Sequence, residues 1–237
     1  MIRQQTSILL ASTFLAFFAC SSAEPEGNGR SNSVAADPLA PAPVEAPKPE
    51  PAQTTTPGEG LFAEIKTAKG TIVCQLEYAL TPMTVASFVA LAEGKHPYVT
   101  TVEKSKHFYD GLTFHRVAPD FVIQGGDPSG NGSGGPGYMF PEEIVPSLRH
   151  DKAGTMAMAR TPARGSNGSQ FYFTLKDTPF LDGDYTVFGH VVSGMEVVKA
   201  IQQGDKMESV TIVAKGKDAE AFDAVKVLEA NKDKFKH

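Results

Sequence analysis

With 237 residues, 41% of them hydrophobic, the chain can bury one substantial core, and its length alone would allow one domain or two. A formal charge of -5 argues against nucleic acid as the partner, because phosphate binding draws on clustered Lys and Arg.

The N-terminal quarter decides for one domain. Met1 to Ala19 has a polar start carrying Arg3 and then an apolar stretch, Ile8 to Ala19, interrupted only by Ser12 and Thr13. Such a stretch is a secretory h-region, too short to span a bilayer. It ends at Phe17-Phe18-Ala19-Cys20, which resembles the lipobox of bacterial lipoproteins, with Phe17 where Leu is usual. That resemblance implies a signal peptide over residues 1–19 and diacylation of Cys20 as the new N-terminus. The alternative is ordinary signal cleavage, which leaves a free cysteine. Ser21 after the cysteine favours the outer membrane over the inner membrane of a bacterial cell envelope, and the expected location is lipid-anchored on the periplasmic side. Residues 20–60 then form a tether, with Pro25, Pro38, Pro41, Pro43, Pro47, Pro49, Pro51 and Pro57 among small and polar residues. Too little apolar surface is present to offset the entropy of ordering it. About forty such residues reach roughly 120 Å as polyproline II and roughly 35 Å as a coil. If Cys20 is acylated, the remaining Cys74 has no internal disulfide partner, and its alternation with Ile72 and Leu76 places it on the core face of a strand.

Residues 61–237 read as the globular domain. Phe62 to Thr67 and Thr71 to Glu77 predict a hairpin about Ala68-Lys69-Gly70. Thr81-Pro82 supplies a capping residue and a first-turn proline for a helix that runs through Glu93 and stops at Gly94, with Val85, Phe88, Val89 and Ala92 as its core stripe. His96 to His107 predicts a surface loop. Short strands follow at Thr113 to Val117, Phe121 to Gly125, Thr155 to Arg160, Phe171 to Thr174, Thr186 to Val191 and Glu208 to Ala214, with a helical turn or two from Met195 to Gln202. Lys217 to Asn231 predicts one further helix, its stripe Ala219, Phe222, Val225 and Leu228. Many short strands punctuated by Gly and Pro suggest a mainly β barrel.

One run mixes a cation, an amide and apolar side chains on two adjoining strands: Phe114-His115-Arg116-Val117-Ala118-Pro119-Asp120-Phe121-Val122-Ile123-Gln124-Gly125-Gly126-Asp127. Met156-Ala157-Met158-Ala159-Arg160, Asn167-Gly168-Ser169-Gln170-Phe171-Tyr172-Phe173, Phe180-Leu181-Asp182-Gly183 and Val187-Phe188-Gly189 follow. In order and spacing, from about Leu61 to Gly216, these blocks resemble the cyclophilins, the peptidyl-prolyl cis-trans isomerases. The resemblance implies a closed eight-stranded antiparallel barrel capped by two helices, no cofactor and no metal, and proline-containing polypeptides as partners of a monomer.

It also assigns roles by position. Arg116 would donate to the prolyl nitrogen, Gln124 would orient Arg116 and the substrate carbonyl, and His115 would bind substrate at the rim. Phe121, Val122, Tyr172 and Leu181 would hold the proline ring, and Ala159, Arg160 and Gln170 the flanking peptide. Phe180 and Tyr185 stand where animal members have Trp and His, which puts cyclosporin sensitivity in question. Arg160 replaces a common Asn, and Val122 and Tyr172 replace Met and Phe. The competing bland readings are core for Phe114, Phe121, Phe171 and Phe173, and a surface pair for Arg116 and Gln124. His107 and His150 fit no metal-ligand spacing and are expected at the surface. Gly130-Asn131-Gly132-Ser133-Gly134-Gly135 satisfies G-x-G-x-x-G, but Pro136-Gly137 follows where a helix would have to begin, so it reads as a glycine loop and not a dinucleotide site. An isomerase that assists envelope folding is thus expected, with a proline-directed binding module or holdase as the alternative.

Overall fold

The hairpin forms where alternation places it, as β1 (Gly60–Thr67) and β2 (Gly70–Leu76), paired from Leu61 opposite Leu76 to Thr67 opposite Gly70. The turn is held by Thr67, whose hydroxyl accepts from Lys69 N at 3.1 Å and donates to Gly70 O at 2.9 Å. Cys74 is fully buried among apolar neighbours, and burial pushes its thiol far above the ordinary range, so it is an inert core residue. The computed structural model describes residues 58–103 and 106–237; Cys20 and the tether to residue 57 lie outside them.

Helix α1 (Pro82–Ala92) carries proline in its first turn, as expected, but Thr81 does not cap it. The Thr81 hydroxyl donates to Glu77 O instead, and the Glu143 carboxylate accepts from Met83 N at 3.1 Å and Thr84 N at 2.7 Å. A carboxylate 60 residues on thus satisfies the orphan amides and meets the positive end of the helix dipole. Every residue from Met83 to Ala92 is buried, more than one stripe, because a C-terminal helix packs on the outer side. That C-terminal element is not the single helix expected over 217–231. It is α3 (Lys217–Glu220) and α4 (Ala224–Ala230), broken at Asp223, whose extended backbone and side-chain bond from Lys226 N at 3.0 Å start the second helix. The break rotates the stripe, so Ala224 and Leu228 are buried and Val225 only partly.

The other strands are β3 (Arg116–Ala118), β4 (Val122–Gly125), β5 (Thr155–Met158), β6 (Phe171–Thr174), β7 (Val187–Ser193) and β8 (Ser209–Lys215), with α2 (Met195–Ala200) before the last. They form one antiparallel sheet of eight strands, in the order β3-β4-β6-β5-β7-β2-β1-β8. The segments preceding the two edge strands bond each other, Gly111 N to Met207 O at 2.7 Å and Phe114 N to Asp205 O at 2.8 Å, so the edges are tied and not left as open templates. Thr113 enters only an isolated bridge to Lys206 and not the strand expected from it.

Strand period divides the two faces of the sheet. Phe171 and Phe173 point into the main core, where Phe171 meets Phe88 edge-on at 5.5 Å and Tyr109 at 5.6 Å. Tyr172, between them, points the other way and joins Val122, Ala157 and Val187 in a second, smaller cluster.

Two surface expectations fail. His150 has no exposed area, because its ring fits behind Tyr172. The loop expected at the surface from His96 to His107 begins buried, with His96 only 4% exposed and stacked on Tyr138 at 4.4 Å. Its Nδ1 accepts from Tyr98 N at 3.2 Å, and burial pushes its pKa down to about 3. A folded-state pKa below the unfolded value means that protonation favours the unfolded chain. Stability is therefore fully present above about pH 6.5 and is lost below it, at up to about 1.4 kcal/mol per pH unit for one extra proton bound on unfolding. Urea midpoints should fall between pH 7 and 4.5 in the native protein, and His96→Phe, which keeps a ring but cannot protonate, should show a clearly smaller fall.

Candidate active site

The site is built on the sheet face opposite the main core. Arg116 on β3 lies directly across from Gln124 on β4, and Gln124 from Tyr172 on β6, so register alone brings them together. A guanidinium can only donate, and this fixes the amides in series. Arg116 Nη1 donates to Gln124 Oε1 at 3.3 Å, Gln124 Nε2 donates to Gln170 Oε1 at 2.9 Å, and Gln170 Nε2 donates to Gly132 O at 3.0 Å and Gly134 O at 2.8 Å. One exposed cation is thereby aligned through two amides to a glycine loop.

That loop is held by a residue the motif reading passed over. Asp127 is 1% exposed, and its carboxylate accepts from Ser129 N at 2.8 Å, Asn131 N at 3.0 Å and Gly132 N at 2.5 Å. Burial acts to raise its pKa, but the amides of Ser129, Gly132, Asn131 and Gly134 outweigh burial and hold it below the usual carboxylate range. The glycine-rich amides thus enclose an anion from their own chain. No Cβ fits at Gly134, where it would collide with the Asp127 carboxylate. Asp followed by Pro-Ser-Gly is a turn signal that could have exposed this role.

Beside the cation lies an apolar cluster. Phe121, Leu181 and Tyr185 pack on Val122, Ala157, Tyr172 and Val187. Phe121 stacks on Phe180 at 5.8 Å, and the Arg116 guanidinium sits 5.8 Å from the Phe121 ring centre. Phe180, presented by a 3-10 turn from Pro179 to Leu181, is 69% exposed and forms a rim. From Gln124 and Gln170 a groove of about 900 Å³ extends past Ala159, Arg160, the glycine loop and Lys236. Thr101 braces that loop, donating to Gly135 O at 2.9 Å.

Arg160 is among the groove residues, yet its side chain is only 6% exposed and is turned inward. Its Nε lies 3.1 Å from Glu142 Oε1, its Nη2 donates to Asp184 O at 2.9 Å, and the guanidinium covers the Tyr185 ring at 4.8 Å. Glu142 in turn accepts from Gly165 N at 3.0 Å. The charge thus ties one groove wall to the rest of the fold. His115, next to Arg116, has neither ring nitrogen hydrogen-bonded. Burial, with help from Arg116 and against Asp127, lowers its pKa, so it is neutral at pH 7. Sequence reading also missed His150 and Asp182, which stand 22 residues before and 10 after Tyr172 and carry no local signal.

This geometry can seat an apolar ring while a fixed cation donates to an atom beside it. Among the described residues Cys74 is in the core, and the imidazole nearest Arg116 is unpartnered. Comparison with known proteins identifies the family. Residues 62–230 match the family model "Cyclophilin type peptidyl-prolyl cis-trans isomerase/CLD". Over 148 residues the chain is 47% identical to peptidyl-prolyl cis-trans isomerase B of Streptomyces anulatus, covering 60% of this chain and 84% of that one. Over 155 residues it is 44% identical to peptidyl-prolyl cis-trans isomerase A of Mycobacterium tuberculosis, covering 63% and 85%. A crystal structure of a cyclophilin type isomerase from Cryptosporidium parvum superimposes with a TM-score of 0.56 at 27% identity, covering 65% of this chain and 98% of the other. The same parasite isomerase was also solved in the presence of the dipeptide Ala-Pro, with a TM-score of 0.53 and 28% identity. The chain belongs to the cyclophilin-type peptidyl-prolyl cis-trans isomerases.

Burial lowers the pKa of both His115 and His150 below the usual imidazole value. The isomerisation rate should therefore be flat between about pH 6 and 8. Exchange measurements on a proline tetrapeptide would check this, and a limb within that range would assign a titrating imidazole to the reaction.

Proposed function

We propose that the protein isomerises X-Pro bonds of polypeptides at the Arg116 site, working from a lipid anchor in the bacterial cell envelope. The observation that carries the catalytic part is the aligned series Arg116-Gln124-Gln170 beside the apolar cluster. Amide resonance sets a barrier of about 18 to 20 kcal/mol and a time of tens to hundreds of seconds. In the planar amide the nitrogen lone pair is delocalised and accepts no hydrogen bond. In the twisted state it is localised and can. A donor aimed at that nitrogen stabilises the transition state alone.

Arg116 suits the task because its guanidinium is permanently charged and its fork is held by Gln124. Gln124, itself fixed by Gln170, keeps that fork from following solvent. One charge-assisted bond contributes about 1.5 to 3 kcal/mol, whereas five decades of acceleration would require roughly 7 kcal/mol. The remainder comes from excluding water, which favours the more dipolar planar amide, once Phe121, Val122, Tyr172 and Leu181 have seated the proline ring. That a parasite relative was solved in the presence of Ala-Pro is in keeping with a proline-containing ligand.

Arg116→Ala should keep the fold and lower kcat/KM at least about tenfold, matching the loss of 1.5 to 3 kcal/mol. Arg116→Lys should recover little, since a point charge lacks the fork. Full turnover in a folded Arg116→Ala protein would defeat this role.

The envelope part rests on the apolar leader ending at Ala19-Cys20 and on the proline-rich segment after it. Among the described residues no helix is long and apolar enough to cross a membrane. Two acyl chains on one cysteine suffice for stable anchoring, and a single chain is marginal. Cys20→Ala should move the protein from the membrane to the soluble fraction with isomerase activity unchanged, as read by fractionation and mass spectrometry of the mature N-terminus. A Cys20→Ala protein that stays with the membrane would overturn the anchor and leave the isomerase reading intact.

A further inference from the structure

Behind the apolar cluster lies a buried hydrogen-bonded chain that the mechanism above does not use. His150 has no exposed area, and it sits between Asp182 and Tyr172. Both its backbone N, at 2.8 Å, and its ring Nδ1, at 2.9 Å, reach Asp182 Oδ1. Its Nε2 lies 2.9 Å from the Tyr172 hydroxyl, with the two rings stacked at 13°. Arg149 Nε donates to the second oxygen, Asp182 Oδ2, at 3.0 Å.

The protons on this chain can be placed. Burial raises the pKa of Asp182, but the His150 backbone, the His150 ring and Arg149 outweigh burial and keep it ionised. A carboxylate only accepts, so His150 Nδ1 carries the ring proton. Burial outweighs Asp182 and keeps the imidazole neutral near pH 7, so Nε2 presents a lone pair. Tyr172 must therefore donate its hydroxyl proton to Nε2. The phenol, anchored at its far end, offers its ring edge and face to the pocket, where Tyr185 meets it edge-on at 6.0 Å.

The charged anchor is shared with the rim. Asp182 closes the 3-10 turn that presents Phe180 and Leu181, its own N donating to Pro179 O at 3.1 Å. One carboxylate thus fixes the back wall through His150 and stands at the end of the turn that forms the lip.

We infer that His150 and Asp182 are positioning residues for the isomerase, locking the Tyr172 ring as the rear wall of the proline pocket through an Asp-His-Tyr hydrogen-bonded chain. This inference rests on the reading of that pocket as the proline site. It concerns how tightly substrate is held and not the barrier itself, because the chain touches neither the prolyl nitrogen nor Arg116. Its signature is a loss of affinity without loss of rate at saturation.

The test uses a proline tetrapeptide, with affinity from titration and interconversion rate at saturation from NMR exchange. His150→Leu leaves the Tyr172 hydroxyl buried without an acceptor, and it should weaken binding at least about fivefold while the saturated rate stays within twofold. Tyr172→Phe should weaken binding at least about threefold, and it keeps the proposal testable if His150→Leu does not fold. The double variant Tyr172→Phe/His150→Leu replaces a polar pair by an apolar pair, and it should bind better than His150→Leu alone. Two residues acting independently would give additive losses instead. In the native protein, 15N-labelled histidine should show His150 with Nδ1 protonated and Nε2 bare. Native affinity in Tyr172→Phe, additive losses in the double variant, or the opposite tautomer would overturn the inference. Arg116→Ala measured in parallel separates the outcomes: if it too leaves turnover intact, the site itself is misplaced, and if it lowers turnover while Tyr172→Phe is silent, only the positioning role fails.

Discussion

The strict alternation of side chains along β6 is the constraint on which the rest depends. Phe171 and Phe173 enter the main core, and Gln170, just ahead of the strand, and Tyr172 face the site. Four consecutive residues, 170 to 173, therefore serve relay, core, pocket and core in turn. A slip of one position would bury the glutamine and expose two phenylalanines. The fully buried aromatic rings make such a slip costly, since losing one core Phe contact set costs about 3 to 5 kcal/mol. The energy that fixes the core thereby fixes the site, and the catalytic geometry inherits the rigidity of the packing behind it.

A second pattern is the use of carboxylates to organise loops. Asp127 gathers the amides of the glycine loop, Glu143 caps α1, Glu142 ties Arg160 to Gly165, and Asp182 holds His150 and the turn below the pocket. Each satisfies backbone amides that no sheet or helix ladder reaches, and a buried donor left unpaired would cost about 1 to 3 kcal/mol. The acidic balance of the chain is thus in part internal architecture. The side chains of the Arg160-Glu142 pair are only 6% and 8% exposed, and removing one partner from a buried pair costs about 3 to 5 kcal/mol. Its position explains how an arginine can stand at a groove position without offering its charge to the substrate.

The imidazoles divide in the same way. His96 stacks in an aromatic cluster with Tyr138 and Phe235, His150 braces Tyr172, and His115 lies unpartnered beside Arg116. Burial keeps all three neutral near pH 7. Of these rings His96 is the one expected to set acid stability, because its lowered pKa makes the unfolded chain the better proton acceptor.

Local chemistry made much of this legible in the chain. Whereas the pairing of Arg116 with Gln124 was legible only through the family resemblance, the hairpin, the proline-started helix and the inert Cys74 follow from period, turn residues and proline geometry, which act over a few residues. The same holds for dismissing the glycine motif, although its true occupant, Asp127, was overlooked. What only the tertiary structure decided is every contact between residues distant in sequence: Glu143 in place of Thr81 as the helix cap, the break of the last helix at Asp223, the burial of His96 and His150, and the inward turn of Arg160. A polar residue in a loop reads as exposed until a partner many residues away is brought to it. Only the folded sheet, by setting register across strands, determines which partner that is.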